Sequence, residues 1–266
     1  MTPDAIAHLK AGDPDAALAA LSAQVRSRPG DAKLRIFLFQ LLCVQGDWQR
    51  AVTQLKLCAE LDPLAIPMAQ AYREAIICEV FRESVFAGEK RPLVFGEPQD
   101  WIALLLESLQ ALGQGRIPQA AELRARAFDS APATPGSLNG TDFGWIADAD
   151  SRLGPVLEAV IDGKYYWVPF NRLTSMELDP PEDLRDKVWM PARLRFANGG
   201  ESVAMIPTRY AGTTARGDGA AKLALATEWQ DAGGETWCGL GQRLFSTDGG
   251  DLALMDIRAL RLGPGE

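Results

Sequence analysis

The sequence predicts an α+β protein, in which a helical repeat region precedes a mainly antiparallel β region with a short helical insertion. Two observations predict this class. The first half of the chain contains a gapless internal repeat, and the second half contains three tight-turn signals between apolar segments. A chain of 266 residues can form one large domain or two modest ones. We expect a helical domain at 1–132, a linker at 133–144 and a β-rich domain at 145–266.

The repeat consists of two segments that align without gaps at an offset of 34 residues. Five positions carry identical residues at this offset: Gly12 and Gly46, Asp13 and Asp47, Ala17 and Ala51, Leu21 and Leu55, and Pro29 and Pro63. A further copy lies 69 residues beyond the second and includes Gly115, Ala120 and Pro132. A period of 34 residues is that of tetratricopeptide repeats, in which a turn joins two helices and small residues let them pack closely.

Between the second and third copies, "PMAQAYREAIICEVFRESVFAG" predicts another amphipathic helix, and "GEKRPLVFGEPQD" predicts a loop. Helical repeats of this kind commonly receive a peptide or a partner helix on their concave surface. The alternative is that the helices only scaffold the second half of the chain. Five apolar positions are candidates both for partner binding and for the core: Leu34, Phe37, Leu41, Tyr72 and Phe81.

The second half of the chain begins with "APATPGSLNGTDFG", a composition typical of a linker. Three hairpins are then predicted, with turns at Asp162-Gly163, at 198–200 (NGG) and at 248–250 (DGG). The segment "KLALATEW" predicts a strand between the last two hairpins. The prolines and acidic residues of "DPPEDLRDKVW" predict the start of one short helix.

Charge and hydropathy exclude several classes of function. A formal net charge of -8 and a pI near 4.9 argue against nucleic-acid binding and against attraction to anionic membranes. No apolar stretch approaches the roughly 20 residues of a membrane helix, and the N-terminus does not resemble an export signal. The four cysteines lack metal-binding spacing and are expected to be buried thiols. We therefore expect a cytoplasmic protein.

The span "WIADADSRLGPVLEAVIDGKYYWVPF" raises the question of a catalytic site, because it contains Asp148 and Asp150. The two carboxylates can act as metal ligands or as an acid/base pair. Alternatively, they belong to a turn that is held by backbone N–H groups and by Arg152. The single histidine, His8, lies far away in the sequence, and no phosphate-binding glycine motif is present. We favour the turn, and we predict no catalytic, cofactor-binding or metal-binding residues.

The same span, together with "PPEDLRDKVWMPA", "GGESVAMIPTRY" and "GQRLFSTD", resembles the ImpE/TagJ (SciE-type) proteins of bacterial type VI secretion systems. The resemblance covers about 145–262, and one loop departs from the family pattern, with "AGT" at 211–213 where "PGS" is usual. Residues that carry the resemblance are expected to be structural: Trp145, Asp148, Asp150, Arg152, Asp162, Gly163, Trp167, Pro169, Trp189, Pro207, Arg209 and Tyr210.

The resemblance implies a non-enzymatic accessory protein. Proteins of this family are thought to bind the N-terminal helix of the small subunit of the contractile sheath, and to connect the sheath with the AAA+ ATPase that recycles it. An enzyme centred on Asp148 and Asp150 is one alternative. A general adaptor or chaperone for apolar helices is another.

Overall fold

The computed structural model describes residues 3–97 and 99–263. Helices dominate its first half: α1 (Pro3–Lys10), α2 (Pro14–Ser27), α3 (Ala32–Gln45), α4 (Trp48–Leu61), α5 (Ile66–Phe86), α6 (Asp100–Gly113) and α7 (Ile117–Ser130). The helices α2, α3 and α4 are capped at their N-termini by Asp13, Asp31 and Asp47. Each carboxylate accepts a hydrogen bond from the backbone N–H three residues later. Successive helices from α1 to α5 pack on one another, which confirms the predicted repeat.

The strands of the second half form one large sheet and two small ones. The large sheet contains nine strands in the spatial order β1-β6-β5-β9-β8-β7-β14-β2-β3. Its strands are β1 (Leu93–Val94), β2 (Gly136–Leu138), β3 (Thr141–Phe143), β5 (Val156–Ile161), β6 (Lys164–Pro169), β7 (Leu173–Leu178), β8 (Trp189–Phe196), β9 (Glu201–Pro207) and β14 (Ala259–Leu262). All neighbours in this sheet pair antiparallel except β1 and β6.

The small sheets pack beside this large one. A three-stranded sheet has the order β13-β12-β4, and a two-stranded ribbon pairs β10 with β11. Their strands are β4 (Ile146–Asp148), β10 (Thr227–Asp231), β11 (Trp237–Gly241), β12 (Leu244–Thr247) and β13 (Gly250–Ala253). Two four-residue helices, α8 (Thr213–Arg216) and α9 (Gly219–Lys222), precede the ribbon. The fold class is therefore as predicted.

All three predicted hairpins are confirmed, since they join β5 to β6, β8 to β9 and β12 to β13. Asp162 and Gly163 both have a positive φ, at 48° and 68°, as the turn requires. The short helix predicted in "DPPEDLRDKVW" is a 3-10 turn at Leu184–Lys187. Its capping box pairs Asp183 with Asp186.

Three local predictions differ from the structure. The segment predicted as a linker, 133–144, contains β2 and β3, which extend the large sheet. The predicted loop after α5 contributes β1 to the opposite edge of that sheet. In "KLALATEW" only the last residues belong to a strand, because Lys222 ends α9 and β10 begins at Thr227. Of these short elements, β1 and β2 depend on pairing with strands that are distant in sequence, β6 and β14.

The helical and β halves share side-chain packing. Val188, Trp189 and Leu223 from the second half are buried in the apolar core of the helical repeat. The Trp189 ring lies 5.8 Å from the ring of Tyr72, between ring centroids. Because the face of the repeat around Tyr72 is occupied in this way, it is not open to a partner. Among the described residues, no helix is both long and apolar enough to cross a membrane.

Candidate functional site

The segment 148–152, which contains Asp148, Asp150 and Arg152, forms a buried turn with three charged side chains. β4 ends at Asp148, and its turn places Asp150 beside Arg152. One oxygen of Asp150 accepts hydrogen bonds from the backbone N–H and the Nε of Arg152, at 2.9 and 2.8 Å. The other oxygen accepts from Arg152 at 2.5 Å and from the Gly239 N–H at 2.9 Å. Asp150 thus ties the turn to β11 across the sequence.

Asp148 belongs to a larger buried cluster of charges. One of its oxygens accepts from the Asp150 N–H at 2.9 Å, and the other accepts from the guanidinium of Arg243. Arg243 also donates to Glu158 on β5 and to the backbone oxygen of Pro207. Both carboxylate oxygens of Asp148 are therefore engaged.

Glu158 joins this cluster to the helical half. Arg82 on α5 donates to its two oxygens from Nε and Nη2, at 2.5 and 2.9 Å. The hydroxyl of Tyr165 also donates to Glu158, and Arg82 contacts Glu79 at 3.3 Å. Glu79 in turn accepts from the indole N–H of Trp189 at 3.1 Å. The cluster connects α5 to the strands β5, β6 and β8.

The surroundings of Asp148 and Glu158 shift the pKa values of these two carboxyl groups in opposite directions. Burial raises the pKa of the Asp148 carboxyl to about 7, against the lowering effect of the Arg243 charge. Burial by itself would raise the pKa of Glu158, but the charges of Arg82 and Arg243 bring it down to about 2. A carboxyl group with a pKa near 7 is suited to proton transfer, provided that it can reach a substrate.

Only a small cavity is found beside Glu79 and Arg82, at the α5 end of this cluster, among the cavities of the described residues. The cavity lined by Glu79, Arg82 and Arg209 has a volume of about 10 Å³, enough for one water at most. Within the described residues, no group of three or more His, Cys, Asp or Glu side chains is arranged to hold a metal ion. The hydrogen bonds of Asp148 and Asp150 support the interpretation that the two residues hold a turn.

The remaining signature residues lie in positions that shape the fold. Trp167, Trp189 and Tyr210 are buried, and Pro169 and Pro207 end the strands β6 and β9. Arg209 donates to the backbone oxygens of Cys43 and Val44, near the end of α3, at 3.2 and 2.7 Å. A guanidinium there adds hydrogen bonds to carbonyl groups of the last helical turn, where the helix dipole favours a positive charge. In contrast, Trp145 is 42% exposed.

Sequence reasoning missed the partners of the buried carboxylates: Glu79, Arg82, Glu158 and Arg243. One signal was available, because Glu158 is the single charged residue in the otherwise apolar strand "VLEAVI". A charge in a fully buried strand requires a counter-charge. The counter-charges are Arg82 and Arg243, which lie 76 and 85 positions away in the sequence. Only the tertiary structure identifies them.

The five positions predicted to bind a partner pack inside the chain. Leu34, Phe37, Leu41 and Tyr72 are buried in the helical core, and Phe81 is half-buried against the ring of Tyr165. The first four of these side chains present almost no surface to a partner in this conformation. Their assignment as contact residues stays a prediction, and the accessible apolar surface of the helical half lies elsewhere.

The helical half has accessible apolar surface in a groove between α4 and α5, with a volume of about 480 Å³. Its lining residues are Val52, Leu55, Lys56 and Ala59 on α4, and Ile66, Ala69, Gln70, Arg73, Glu74 and Ile77 on α5. Ile66 and Ile77 are 50% and 56% exposed, which is unusual for isoleucine in a folded chain. Below, this is called the α4–α5 groove.

Comparisons with known proteins give four similarities. The ImpE protein family matches 140–261, and the tetratricopeptide repeat family matches 8–75. The chain is 52% identical to the type VI secretion system accessory component TagJ of Pseudomonas aeruginosa, over 96% of this chain and 90% of the relative. A crystal structure of a Vibrio parahaemolyticus protein superposes with a TM-score of 0.89 at 25% identity, and the match covers 98% of each chain.

Proposed function

Because the chain belongs to the ImpE/TagJ family and has an accessory role in type VI secretion, we propose that it is a non-enzymatic adaptor of the contractile sheath. In this proposal it binds the N-terminal helix of the small sheath subunit and links the sheath to its AAA+ recycling ATPase. It acts in the cytoplasm, without a cofactor, and its partners are proteins rather than nucleic acids or membranes.

The observation that carries the proposal is the open α4–α5 groove. An amphipathic helix binds to a protein by laying its apolar face into a groove of this kind. Ile66 and Ile77 project from α5 on one face, and Val52 on α4 supplies the opposite wall. Contact with a partner helix removes this apolar surface from water, which favours binding.

An enzyme centred on Asp148 and Asp150 has less support. Every carboxylate oxygen of the two residues accepts a hydrogen bond from the chain itself. Catalysis requires a carboxyl group within reach of a substrate, and Asp148 and Asp150 are only 3% and 0% exposed. These contacts favour a structural role for both residues.

A second contact surface is needed if the chain links two proteins. The β half exposes part of Trp145, Trp229 and Trp237 to solvent, and tryptophan is enriched at protein interfaces. We assign the ATPase contact to this half, because the groove is then left free for the sheath helix. Pull-down of the ATPase on immobilised sheath peptide, with and without the chain, tests the link. Retention of the ATPase in the absence of the chain would contradict it.

Isothermal titration of the intact chain with a peptide of the sheath subunit's N-terminal helix tests the binding itself. The intact chain is required, because removal of the helical half would leave the buried Glu158 without Arg82. We expect saturable binding of the native peptide and none of a scrambled control. Equal binding of both peptides would favour a general chaperone, and no binding of either would contradict the proposal.

A further inference from the structure

The α4–α5 groove corresponds to a helix position that the repeat leaves vacant. When the repeats are aligned at the 34-residue offset, Arg73 and Ile77 of α5 correspond to Phe39 and Cys43 of α3. Phe39 and Cys43 are 0% exposed, because α3 packs between its neighbours in the repeat. Arg73 and Ile77 are exposed, so the equivalent face of α5 lacks a neighbour of that kind.

The reason lies in the sequence after α5. In the second repeat, Gly46 takes a left-handed conformation, with φ at 76°, and the chain turns back into α4. The residues 34 positions later are Val80 and Phe81, which are helical and form no turn. As a result α5 continues to Phe86 and has 21 residues, where α3 has 14. The repeat that α5 begins therefore lacks its second helix.

The next helix in sequence does not replace the missing one. α6 touches α5 only slightly and packs mainly with α7, whereas α3 packs with α4 along its length. Gly88 and Gly113 bring the end of α5 and the end of α6 into close contact, away from Ile77. The face of α5 that carries Ile66 and Ile77 thus stays open.

The charges along the groove indicate the chemistry of its occupant. Lys56 on α4 and Arg73 on α5 are both exposed and both line the groove. Among the described residues, neither has a carboxylate within 4.0 Å. The carboxylate of Glu74, on the same wall, lies 3.5 Å from the side-chain nitrogen of Gln70. A partner with acidic residues beside its apolar face would complement these two cations.

We propose that the partner helix completes the repeat that α5 begins: it packs beside α5 in the position of the missing second helix, with carboxylates towards Lys56 and Arg73. This inference rests on the proposed function for the identity of the helix. The second helices of the first two repeats, α2 and α4, have 14 residues each. A helical segment of about that length fills the position. Its apolar residues recur every three or four positions.

The test is titration of the sheath-subunit peptide into the intact chain and two groove variants. Ile77→Asp places a charge in the apolar groove, and Arg73→Glu reverses one of the two cations. We expect the Kd to rise at least about tenfold with Ile77→Asp, and less with Arg73→Glu. Val203→Asp and Arg26→Glu are matched controls on β9 and α2, outside the groove. Both control variants should bind the peptide with the Kd of the unsubstituted chain.

The outcomes separate this inference from the proposed function. Binding that is equal in all variants would overturn repeat completion and leave sheath binding intact. No binding by the unsubstituted chain would overturn the proposed function and this inference with it. A dimer of the chain that Ile77→Asp dissociates would also overturn it, since a second copy would then occupy the groove. Circular dichroism of each variant shows that the fold is retained.

Discussion

The two faces of α5 carry similar kinds of residue in opposite environments. Towards the β half, Glu79 and Arg82 are buried, and each of them has a counter-charge. Towards the α4–α5 groove, Arg73 is exposed without a carboxylate partner, beside the exposed Ile77. The difference teaches that residue type alone does not identify a functional surface. Pairing and burial separate a charge that holds the fold from one that is available to a partner.

The largest expected effect comes from removing the central carboxylate of the buried face. Glu158→Gln leaves Arg82 and Arg243 without their shared counter-charge, and we expect a loss of about 3–5 kcal/mol in the free energy of unfolding. Urea denaturation at neutral pH measures this loss. Glu201→Gln, which breaks the exposed pair with Arg195, should cost about 1 kcal/mol or less. Similar losses for both variants would contradict the contrast between buried and exposed charges.

The same carboxylate should make stability depend on acid pH. The charges of Arg82 and Arg243 lower its pKa from the ordinary 4.5 to about 2, so the folded state binds fewer protons than the unfolded state between these pH values. The stability that Glu158 contributes is fully present above pH 4.5 and decreases as the pH falls towards 2. The difference in stability between the unsubstituted chain and Glu158→Gln should therefore shrink over this interval. Denaturation curves at several acid pH values measure it, and a constant difference would contradict the assigned pairing.

An intermediate effect is expected where the β5–β6 hairpin meets α5. Gly163 has a φ of 68°, and a Cβ there would lie 2.7 Å from an oxygen of Glu74. Gly199 also has a positive φ, but a Cβ there would meet nothing within 4 Å. Gly199→Ala should cost about 1–2 kcal/mol through backbone strain alone. Gly163→Ala should cost somewhat more, because the carboxylate of Glu74 has to move aside, and a smaller loss than that of Gly199→Ala in thermal denaturation would argue against close contact between the hairpin and α5.

The smallest effect on stability is expected at the groove itself. Ile77→Asp should change the free energy of unfolding by about 0.5 kcal/mol or less, because the side chain is already exposed. The preceding residue, Ile76, is buried, so Ile76→Asp should cost about 3 kcal/mol or more. Urea denaturation of the two variants compares the faces of α5 directly. A large loss with Ile77→Asp would mean that the chain itself covers the groove.

Local signals in the sequence predicted most of the fold. The 34-residue offset located the repeat, and Asp162-Gly163 located a hairpin, because a helix pair and a tight turn depend on residues close in sequence. The pairing of β1 with β6 and the contact of Arg82 with Glu158 could not be predicted in this way. Both depend on which distant segments meet after folding.

The candidate site was less predictable than the fold. The apolar spacing that suggested Leu34, Phe37 and Leu41 as contacts is the same spacing that packs a helix into a core. α5 is apolar on both sides, so its sequence alone does not tell which side faces solvent. The missing turn at Val80 was visible in the repeat alignment. Its consequence, an open groove at Ile77, required the positions of α4 and α6.

Photo-crosslinking of the sheath-subunit peptide tests the central claim most directly. A photoreactive phenylalanine replaces Ile77 in the groove in one variant, and replaces Val203, which is 72% exposed on β9, in another. The account predicts that the peptide crosslinks to position 77 and not to position 203, and that an excess of unlabelled peptide suppresses the product. Crosslinking at position 203 alone, or at neither position when titration shows binding, would contradict docking in the α4–α5 groove.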